Sequence, residues 1–234
     1  MTYCISDVHG EYELFMHLLE KIKYEDSDRL IVCGDFIDKG AFSVRLMKTI
    51  FDLPNAYCLM GNHEFMFLKF YRSKIHFGVS DWDSVLWHLQ QYFPKDGKLL
   101  DWDTVDRLTG LPYYIEDSDF ICVHAGLPMD EKGKLLPPDE ALPEELVHDR
   151  RFKNPNVLPR ESKCVLFGHT PTVYVRPDPK IIAYPKPVCN QEEPHISDYY
   201  KIHLDTGVAM TGVLGCFCTD TCTAHYVTKS RPSF

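Results

Sequence analysis

The chain has 234 residues, of which 44% are hydrophobic and 25% are charged, and its formal net charge is −9 at pH 7. This length suits one large domain or two small ones, and such a domain can bury a core without disulfide or metal cross-links. The acidic balance argues against a general binder of nucleic acid, although it leaves room for a local basic pocket.

Cysteine usage and apolar patterning indicate the cellular compartment. The chain contains nine cysteines, and an odd number scattered through apolar runs does not resemble a disulfide framework, so we expect free thiols in a reducing environment. The N-terminus enters an apolar run at once, which predicts no signal peptide. No apolar run is long enough to cross a membrane. We therefore predict a cytoplasmic protein without a membrane partner, and the sequence does not indicate its oligomeric state.

The first third of the chain alternates between short apolar runs and amphipathic segments. Phe15, Leu18 and Ile22, for example, recur at helical spacing. Strands are expected at 3–6, 30–33 and 56–60, and helices at 15–22, 44–51 and 65–71. Strands that alternate with helices predict βαβ units with parallel strands.

Polar residues follow each of these three predicted strands. Asp7 and His9 follow the first, Asp35 and Asp38 the second, and Asn62 and His63 the third. Because the C-terminal ends of parallel strands share one edge of a sheet, the loops there converge on ligands. We therefore expect these side chains to meet in space.

The remainder of the chain predicts a helical cap and a second sheet. Residues 73–110 look helical, with helix starts at Asp81 and Asp103, and we interpret them as a cap inserted in a single domain of residues 1–234. A hairpin at 113–115 and 120–124, a long surface excursion at 127–161 and a strand at 165–167 follow. Further β-like runs lie at 181–184, 199–204, 213–219 and 223–227, and they predict a second, mixed or antiparallel sheet stacked on the first.

The residues that end the predicted strands are carboxylates, imidazoles and one amide, and His124 and His169 complete the set. These donors suit divalent ions such as Mn²⁺, Fe²⁺ or Zn²⁺. Two such ions about 3.5–4 Å apart are a recurrent arrangement for hydrolysing phosphate esters. Asp7 and His9 alternate along an extended segment, so both can reach one ion. Each residue alone has an ordinary explanation as a turn former or a core residue, and only the recurrence at successive strand ends favours a metal site.

Five motifs in a fixed order resemble those of a known family. They are Ser-Asp7-Val-His9-Gly, Gly-Asp35-Phe-Ile-Asp38-Lys-Gly, Gly-Asn62-His63-Glu, His124-Ala-Gly and Gly-His169-Thr-Pro. This set resembles the metallophosphatases of the phosphoprotein phosphatase (calcineurin-like) family. The similarity is to the bacterial and bacteriophage branch, which includes serine/threonine phosphatases and symmetrical diadenosine tetraphosphatases. The resemblance spans nearly the whole chain and implies an α/β fold with a βαβαβ core, in which two stacked mixed β-sheets are flanked by helices.

The resemblance also implies a role for each matching residue. Two divalent ions are implied, with Mn²⁺ preferred over Fe or Zn. Asp7, His9 and Asp35 would bind the first ion, Asp35 would bridge to the second, and Asn62, His124 and His169 would complete the second. A hydroxide between the ions would attack phosphorus in line. His63 would protonate the leaving group while Asp38 orients its ring and keeps it charged.

One position departs from the family pattern. The family's second motif ends in Asp-Arg-Gly, with an arginine that grips phosphate, and this chain has Lys39 there. Lysine keeps the charge but loses the planar fork that binds phosphate through two hydrogen bonds. Arg150 matches a second phosphate-binding arginine of the branch, so we expect it to bind more of the phosphate, with Arg151 as the alternative.

Several functions share these features. We expect a metal-dependent phosphatase that acts on phosphomonoesters, and the favoured substrates are phosphoserine and phosphothreonine on proteins, with phosphotyrosine as an addition. A small phosphoester is the other substrate considered. The alternative within the family is a symmetrical dinucleoside polyphosphate hydrolase, because the metal chemistry alone does not select the substrate. A non-catalytic metal-binding scaffold is a hypothesis of another class. A nuclease is disfavoured because the charge balance provides no basic track for a nucleic acid.

Two features outside the motifs have alternative explanations. Cys216-x-Cys218-x₃-Cys222 could be a metal or redox cluster, but alternation along a strand followed by a turn explains the spacing as well. Asp205 could be the partner of a ligating histidine or could simply form a turn. His203 is a poor candidate for a ligand because His169 fills that position in the family pattern.

Overall fold

The computed structural model of the protein describes residues 1–76, 81–159, 163–187, 189 and 192–229, so residues 77–80 of the predicted cap and 160–161 of the predicted excursion lie outside the described residues. Its strands are β1 (Thr2–Ile5), β2 (Arg29–Val32), β3 (Ala56–Cys58), β4 (Tyr114–Glu116), β5 (Phe120–Val123), β6 (Cys164–Phe167), β7 (Ile182–Pro185), β8 (Tyr199–His203), β9 (Val213–Cys218) and β10 (Thr223–Thr228). Its helices are α1 (Tyr12–Ile22), α2 (Ser43–Asp52), α3 (Asn62–His76), α4 (Trp82–Gln91), α5 (Trp102–Thr109), α6 (Pro143–His148) and α7 (Val208–Thr211). None of the helices in these described ranges combines the length and apolar character that a membrane crossing requires.

The first sheet has the strand order β10-β9-β1-β2-β3. Its strands β1, β2 and β3 are parallel, and α1 and α2 connect them as the predicted βαβ units. The outer strands β9 and β10 are antiparallel, and β9 pairs with β1 so that Phe217 lies opposite Cys4. The sheet is therefore mixed, and the C-terminal ends of its parallel strands share one edge.

The last hairpin corrects one expectation from the sequence. The runs at 213–219 and 223–227 are expected in the second sheet, whereas β9 and β10 extend the first. This pairing covers the edge of β1, whose backbone groups would otherwise be open to pairing with another chain. Because β1 and β9 lie at opposite ends of the chain, no local pattern in the sequence could indicate their pairing.

The second sheet has the strand order β4-β5-β6-β8-β7. Its inner strands β5, β6 and β8 are parallel, and β4 and β7 form antiparallel edges. The β4–β5 pair is the predicted hairpin, with Tyr114 opposite Val123. The parallel direction of β5 and β6 places the residues that follow them, His124 and His169, at one edge of this sheet.

Small apolar side chains fill the space between the two sheets. One buried cluster joins Cys4 of β1 and Cys33, which follows β2, to Cys122 of β5 and Leu166 of β6. A buried thiol behaves as a small hydrophobic group, so these cysteines allow the sheets to approach closely. All nine cysteines are free thiols in the described part of the chain, as the sequence predicts.

Packing explains the cysteine pattern near the C-terminus. Cys216 and Cys218 belong to the buried cluster that includes residues of α1, whereas Phe217 between them belongs to the cluster between the sheets. Alternation of this kind is what a strand covered on both faces produces. The half-buried Cys222 follows in the turn, where its Sγ lies 3.7 Å from the Thr219 carbonyl oxygen.

The segment after α3 packs onto the first half of the chain. Val85 of α4 and Val105 of α5 lie in the same buried cluster as α1 and α2. The Asp81 side chain caps α4 as predicted, by accepting a hydrogen bond from Ser84 N at 2.7 Å. The second predicted start is wrong by two positions, because Asp101 caps α5 by accepting from Thr104 N at 3.0 Å. This shared core supports the proposal that residues 1–234 form a single domain with a helical cap.

Candidate functional site

The loops that follow the strands of both sheets meet at one edge, and backbone hydrogen bonds hold them together. Asp7 N donates to Gly34 O at 3.1 Å and His9 N to Asp35 O at 2.9 Å, which fixes the loop after β1 on the loop after β2. His169 N, from the second sheet, donates to Asp7 Oδ2 at 2.9 Å. All six predicted metal ligands are buried here, namely Asp7, His9, Asp35, Asn62, His124 and His169.

Four of these six residues have left-handed backbone conformations. The φ angles are 55° at Asp7, 49° at His9, 55° at Asp35 and 68° at His169. This region costs about 1–2 kcal/mol for a residue other than glycine, and such strain concentrates at functional sites. Gly61 allows a close approach instead, since a Cβ there would lie 2.3 Å from Asp35 Oδ1. Backbone strain at these four residues and close packing at Gly61 therefore accompany the convergence of the side chains on one point.

Asp35 lies between two groups of donor atoms. On one side, His9 Nε2 is 3.8 Å from Asp35 Oδ2 and 3.8 Å from Asp7 Oδ1. On the other side, His124 Nε2 is 3.4 Å from Asp35 Oδ1. The two oxygens of this carboxylate therefore face different histidines, which is the arrangement expected of a carboxylate that bridges two ions.

Asn62 and His169 complete the second group. The Asn62 Oδ1 atom is 3.1 Å from His124 Nε2 and 2.7 Å from His169 Nδ1. Ligand atoms about 2.0–2.2 Å from one ion come to lie at separations of this order. Nitrogen and oxygen donors at these spacings fit a divalent cation, so the residues present are compatible with both implied ions.

Backbone carbonyls orient two of the imidazole rings. His9 Nδ1 is 3.0 Å from Ile37 O, and His124 Nδ1 is 2.8 Å from Cys33 O. A ring N–H that donates to a carbonyl leaves the Nε2 lone pair directed into the site, as metal ligation requires. In His169 the two nitrogens exchange these roles. Its Nε2 is 3.3 Å from His148 O, and its Nδ1 faces Asn62 in the site. Burial lowers the pKa of His9 and lowers that of His169 to about 2.

Asp7 is held as a carboxylate. Burial alone would raise its pKa, but the nearby imidazoles of His124 and His9 and the hydrogen bonds from the Ser6 hydroxyl and from His169 N lower its pKa overall. The hydrogen bonds use Oδ2, and Oδ1 faces His9. The charged Asp7 thus directs one oxygen toward the first group of donors.

His63 stands next to the first group in a different environment. Its Nδ1 is 2.7 Å from Asp38 Oδ2, which also accepts a hydrogen bond from the Tyr92 hydroxyl at 3.2 Å. Burial lowers the pKa of His63, but the hydrogen bond to Asp38 and the charge of Asp35 raise it overall. Its Nε2 is 3.8 Å from Asp35 Oδ2, close enough to belong to a three-residue donor group with His9 and Asp35. A raised pKa disfavours the neutral ring that metal ligation requires, so we propose Asp7 in that group.

Glu64 is a site residue that the sequence reasoning missed. α3 begins at Asn62, earlier than the predicted helix, and Glu64 lies fully buried in its first turn. Its carboxylate accepts hydrogen bonds from the backbone N–H groups of Gly61 (3.0 Å), Asp35 (2.8 Å), Phe36 (3.0 Å) and Ile37 (3.1 Å). Burial and the charge of Asp35 raise its pKa to about 7. Glu64 thereby shapes the loop that carries Asp35, and an acidic residue directly after Asn62-His63 was the available signal.

The two predicted phosphate-binding residues lie in different places. Lys39 Nζ is 2.7 Å from His9 Nε2, on the ligating nitrogen of the first group. Arg150 Nη1 is 3.1 Å from Thr170 Oγ1 and 3.5 Å from His169 O, beside the second group. The alternative, Arg151, is engaged elsewhere, because its Nη2 is 2.5 Å from Asp149 Oδ2 and 2.8 Å from Met129 O.

The remaining polar residues of this edge have structural contacts. Asp205 Oδ1 accepts a hydrogen bond from Gly207 N at 2.7 Å. This contact fits the role of a turn former, one of the two roles that the sequence suggests for Asp205. His203 stacks on Phe167 with ring centroids 4.4 Å apart, and its Nε2 is 2.5 Å from Thr170 O. His203 therefore contacts the loop after β6, whereas Asp205 holds the turn after β8.

A buried lysine fixes the segment after Arg150. Lys201 of β8 is 0% exposed, and its Nζ donates to Phe152 O at 2.6 Å and to Asn154 O at 2.8 Å. The ammonium also lies 4.7 Å from the centre of the Phe152 ring and 4.8 Å from that of Tyr184. Burial lowers the pKa of Lys201 to about 7.

This lysine predicts a pH dependence of stability. Below pH 7 the folded and unfolded states both hold the proton, whereas above pH 7 only the unfolded state keeps it until about pH 10.4. The unfolded state then binds more protons, so the free energy of unfolding rises with pH by about 1.4 kcal/mol per unit. From pH 7 to about 9, the wild type should gain about 2 kcal/mol relative to Lys201→Met. Urea unfolding at several pH values measures this difference in the free energy of unfolding. The control is Lys132→Met, at an exposed lysine. The prediction is contradicted if the free energy of unfolding changes with pH equally in the wild type and in Lys201→Met.

Comparison with known proteins gives a family match and several relatives. The sequence profile of a family described as calcineurin-like phosphoesterase matches residues 2–197. The symmetrical bis(5'-nucleosyl)-tetraphosphatase of Pseudomonas putida strain W619 is 28% identical over 157 residues, which are 65% of this chain and 51% of that protein. A protein of the same name from Dechloromonas aromatica strain RCB is 32% identical over 128 residues, which are 54% of this chain and 44% of that protein. The chain thus spans about half the length of these curated relatives.

Solved structures share the fold. A candidate diadenosine tetraphosphatase is similar with a TM-score of 0.67 at 20% identity, over 97% of this chain and 92% of that chain. A cold-active protein-tyrosine phosphatase of a psychrophilic Shewanella species gives 0.54 at 17% identity, over 96% and 79% of the two chains. The predicted fold, two mixed β-sheets flanked by helices, is therefore confirmed.

Proposed function

The chain belongs to the calcineurin-like phosphoesterase family, and from that premise we propose that it is a hydrolase that cleaves phosphate–oxygen bonds with two divalent metal ions held around Asp35. The observation that carries this proposal is the position of Asp35 between two donor groups, with its Oδ2 3.8 Å from His9 Nε2 and its Oδ1 3.4 Å from His124 Nε2. A scaffold that binds one ion for structural reasons would not require a shared carboxylate between two groups.

Six residues would hold the ions. Asp7, His9 and Asp35 would bind the first, and Asp35, Asn62, His124 and His169 the second. When bound, such ions lower the pKa of water and neutralise charge on phosphoryl oxygens. Mn²⁺ is the proposed ion, with Fe or Zn as alternatives, because the donor set contains nitrogen and oxygen but no thiolate.

His63 would supply the proton for the leaving group. Water would attack phosphorus and release one of its protons to solvent. The bond to the leaving oxygen breaks, that oxygen takes the proton from His63 Nε2, and a proton from solvent restores His63. Asp38, 2.7 Å from Nδ1, keeps the ring charged and points Nε2 toward Asp35. An acid that is positioned and charged before the reaction needs no reorganisation when charge develops on the leaving oxygen.

We propose a dinucleoside polyphosphate, cleaved symmetrically, as the substrate. The support is the shared name of the curated relatives, symmetrical bis(5'-nucleosyl)-tetraphosphatase, although the chain spans about half of their length. The substrate predicted from the sequence, phosphoserine or phosphothreonine on a protein, uses the same site chemistry and stays an untested prediction. The cytoplasmic location also stays a prediction.

A chromogenic phosphate ester tests the hydrolase proposal. With added Mn²⁺, the wild type should release the chromogenic alcohol, and a chelator should stop the release. Diadenosine tetraphosphate and a phosphoserine peptide, assayed beside it, rank the two substrate classes. If none of these substrates turns over with Mn²⁺, Fe²⁺ or Zn²⁺, the hydrolase proposal is abandoned in favour of a scaffold.

The contacts of Arg150 and Lys39 predict unequal effects of removing them. Arg150→Ala should raise KM about tenfold or more, because a charge-assisted hydrogen bond to phosphate contributes about 1.5–3 kcal/mol. Lys39→Ala should change KM much less, because Lys39 Nζ contacts His9 Nε2. Lys39→Ala should also lower the Mn²⁺ concentration needed for half-maximal rate, because the Lys39 ammonium no longer competes with Mn²⁺ for His9 Nε2. Steady-state kinetics with Mn²⁺ titrations measure both quantities, and equal small changes in KM would remove the assignment to Arg150.

A further inference from the structure

A cavity of about 530 Å³ lies beside Arg150, outside the proposed metal centre. Its basic wall is the short segment Arg150–Lys153, and Tyr174 and Met129 contribute to the remaining walls. This volume is within the range of about 300–1,000 Å³ that small-molecule sites occupy. Because Arg150 also contacts Thr170 and His169 O, the cavity adjoins the second donor group.

Two of the three cations in this wall are not neutralised. Arg151 pairs with Asp149 and with Met129 O. Arg150, by contrast, donates hydrogen bonds to the neutral Thr170 hydroxyl and the His169 carbonyl, and it has no ion pair among the described residues. The Lys153 side chain is half-buried and has no ion pair or hydrogen bond within the described part of the chain. In a protein with a net charge of −9, two neighbouring cations without acidic partners favour an anionic ligand.

The cavity is also ordered and has an aromatic wall. Lys201 holds the carbonyls of Phe152 and Asn154, which fixes the segment that carries Lys153. Tyr174 is 63% exposed, and its hydroxyl lies 3.6 Å from Met210 Sδ. An exposed ring next to two cations can stack a base while the cations bind its phosphates.

A second cavity near the site has a different character. It has a volume of about 420 Å³ and is lined by residues that include Tyr12, Phe42 and Lys229. There the Arg45 guanidinium already lies over the rings of Tyr12 and Phe42, and Lys229 pairs with Glu11 at 2.7 Å. Its aromatic faces and Lys229 are therefore engaged within the protein, which leaves the exposed Lys95 as its one other lysine among the described lining residues. The cavity beside Arg150 combines two cations with an exposed ring and is the better anion site.

The geometry points to a nucleotide subsite in the cavity beside Arg150. It would bind a nucleoside diphosphate portion of the substrate, with phosphates on Arg150 and Lys153 and the base against Tyr174. The inference rests on the proposed function, which it deepens by naming the chemical class that the enzyme selects. A phosphoserine peptide offers one phosphate and no base, so it would use this subsite poorly.

ADP is the probe, and chelator in the buffer removes any contribution from metal ions. Calorimetric titration of the wild type should show binding that Lys153→Ala and Tyr174→Ala each weaken by at least about fivefold. Tyr174→Phe keeps the ring and should retain the affinity. Lys95→Ala, at an exposed lysine of the other cavity, is the control for loss of a surface charge. Unchanged ADP affinity in both alanine variants would overturn the subsite, and circular dichroism verifies that each variant is folded.

Kinetics separate the failure of this inference from failure of the proposed function. In Lys153→Ala and Tyr174→Ala, the ratio of kcat/KM for diadenosine tetraphosphate to that for a chromogenic ester should fall about fivefold or more. If these variants raise KM for a phosphoserine peptide and leave KM for diadenosine tetraphosphate unchanged, the assignment of a nucleotide to this subsite is overturned. Absence of turnover on every substrate by the wild type would overturn the proposed function, whereas the ADP titration would still decide whether the subsite exists.

Discussion

Replacing His63 by asparagine is expected to lower kcat by about 10²- to 10⁴-fold, the usual contribution of a positioned general acid. The Asp38 contact at 2.7 Å holds the imidazole, and the hydrogen bond to Asp38 raises the pKa of His63, which favours the charged ring that donates a proton. Asparagine is smaller and polar, but its amide is not acidic enough to transfer a proton to the leaving oxygen. Substrate binding and metal content should therefore change little. Initial rates at saturating substrate, together with the Mn²⁺ content of the purified variant, measure this effect.

The choice of leaving group makes the test specific for proton donation. A nitrophenolate leaves without protonation, whereas the alkoxide of an alkyl phosphate needs a proton. The loss caused by His63→Asn should therefore be much larger for an alkyl ester than for a nitrophenyl ester. Asp38→Asn should give an intermediate loss with the same dependence, because the ring stays but loses its orienting carboxylate. Equal losses for both esters would contradict the role of His63 as an acid.

Replacing Asp35 by asparagine is expected to remove both metal ions and to lower the rate by more than about 10³-fold. Each oxygen of this carboxylate faces a different histidine, and the amide would keep one acceptor oxygen and no charge. Loss of the bridging charge leaves each ion with one carboxylate or none, which weakens both sites together. Equilibrium dialysis against Mn²⁺ should give about two ions per chain for the wild type and fewer than one for the variant.

A matched control for Asp35→Asn is available at Asp205. This residue is buried at the same edge, but its Oδ1 accepts a hydrogen bond from Gly207 N in a turn. Asparagine can make the same turn hydrogen bond. Asp205→Asn should therefore retain both ions, and retention of both ions by Asp35→Asn as well would contradict the bridging role.

The sequence could predict the site because each of its residues stands directly after a predicted strand. Asp7, Asp35 and Asn62 each follow an apolar run that alternates with a helix, and that topology brings strand ends together. The same reasoning could not place β9 and β10, because pairing between the two ends of the chain leaves no local signal. The role of Glu64 was also missed, since four backbone N–H groups from two loops define it.

The departure at Lys39 shows how the structure changes the interpretation of a substitution. The sequence shows that a lysine replaces the family arginine, and it suggests weaker phosphate binding. The contact between Lys39 Nζ and His9 Nε2 at 2.7 Å adds competition with the first metal ion. This contact depends on a left-handed φ of 62° at Lys39 and on the fold of the neighbouring loop, neither of which the sequence pattern reveals.

We propose that metal ions around Asp35 let this chain hydrolyse a dinucleoside polyphosphate symmetrically. The most direct test is quantification of the nucleotides released from diadenosine tetraphosphate by the Mn²⁺-loaded protein, with and without chelator. We expect ADP as the sole nucleotide product, two molecules per substrate, and no release when the metal is chelated. Release of AMP and ATP, release that persists in chelator, or no release while a phosphoserine peptide is hydrolysed would contradict the claim.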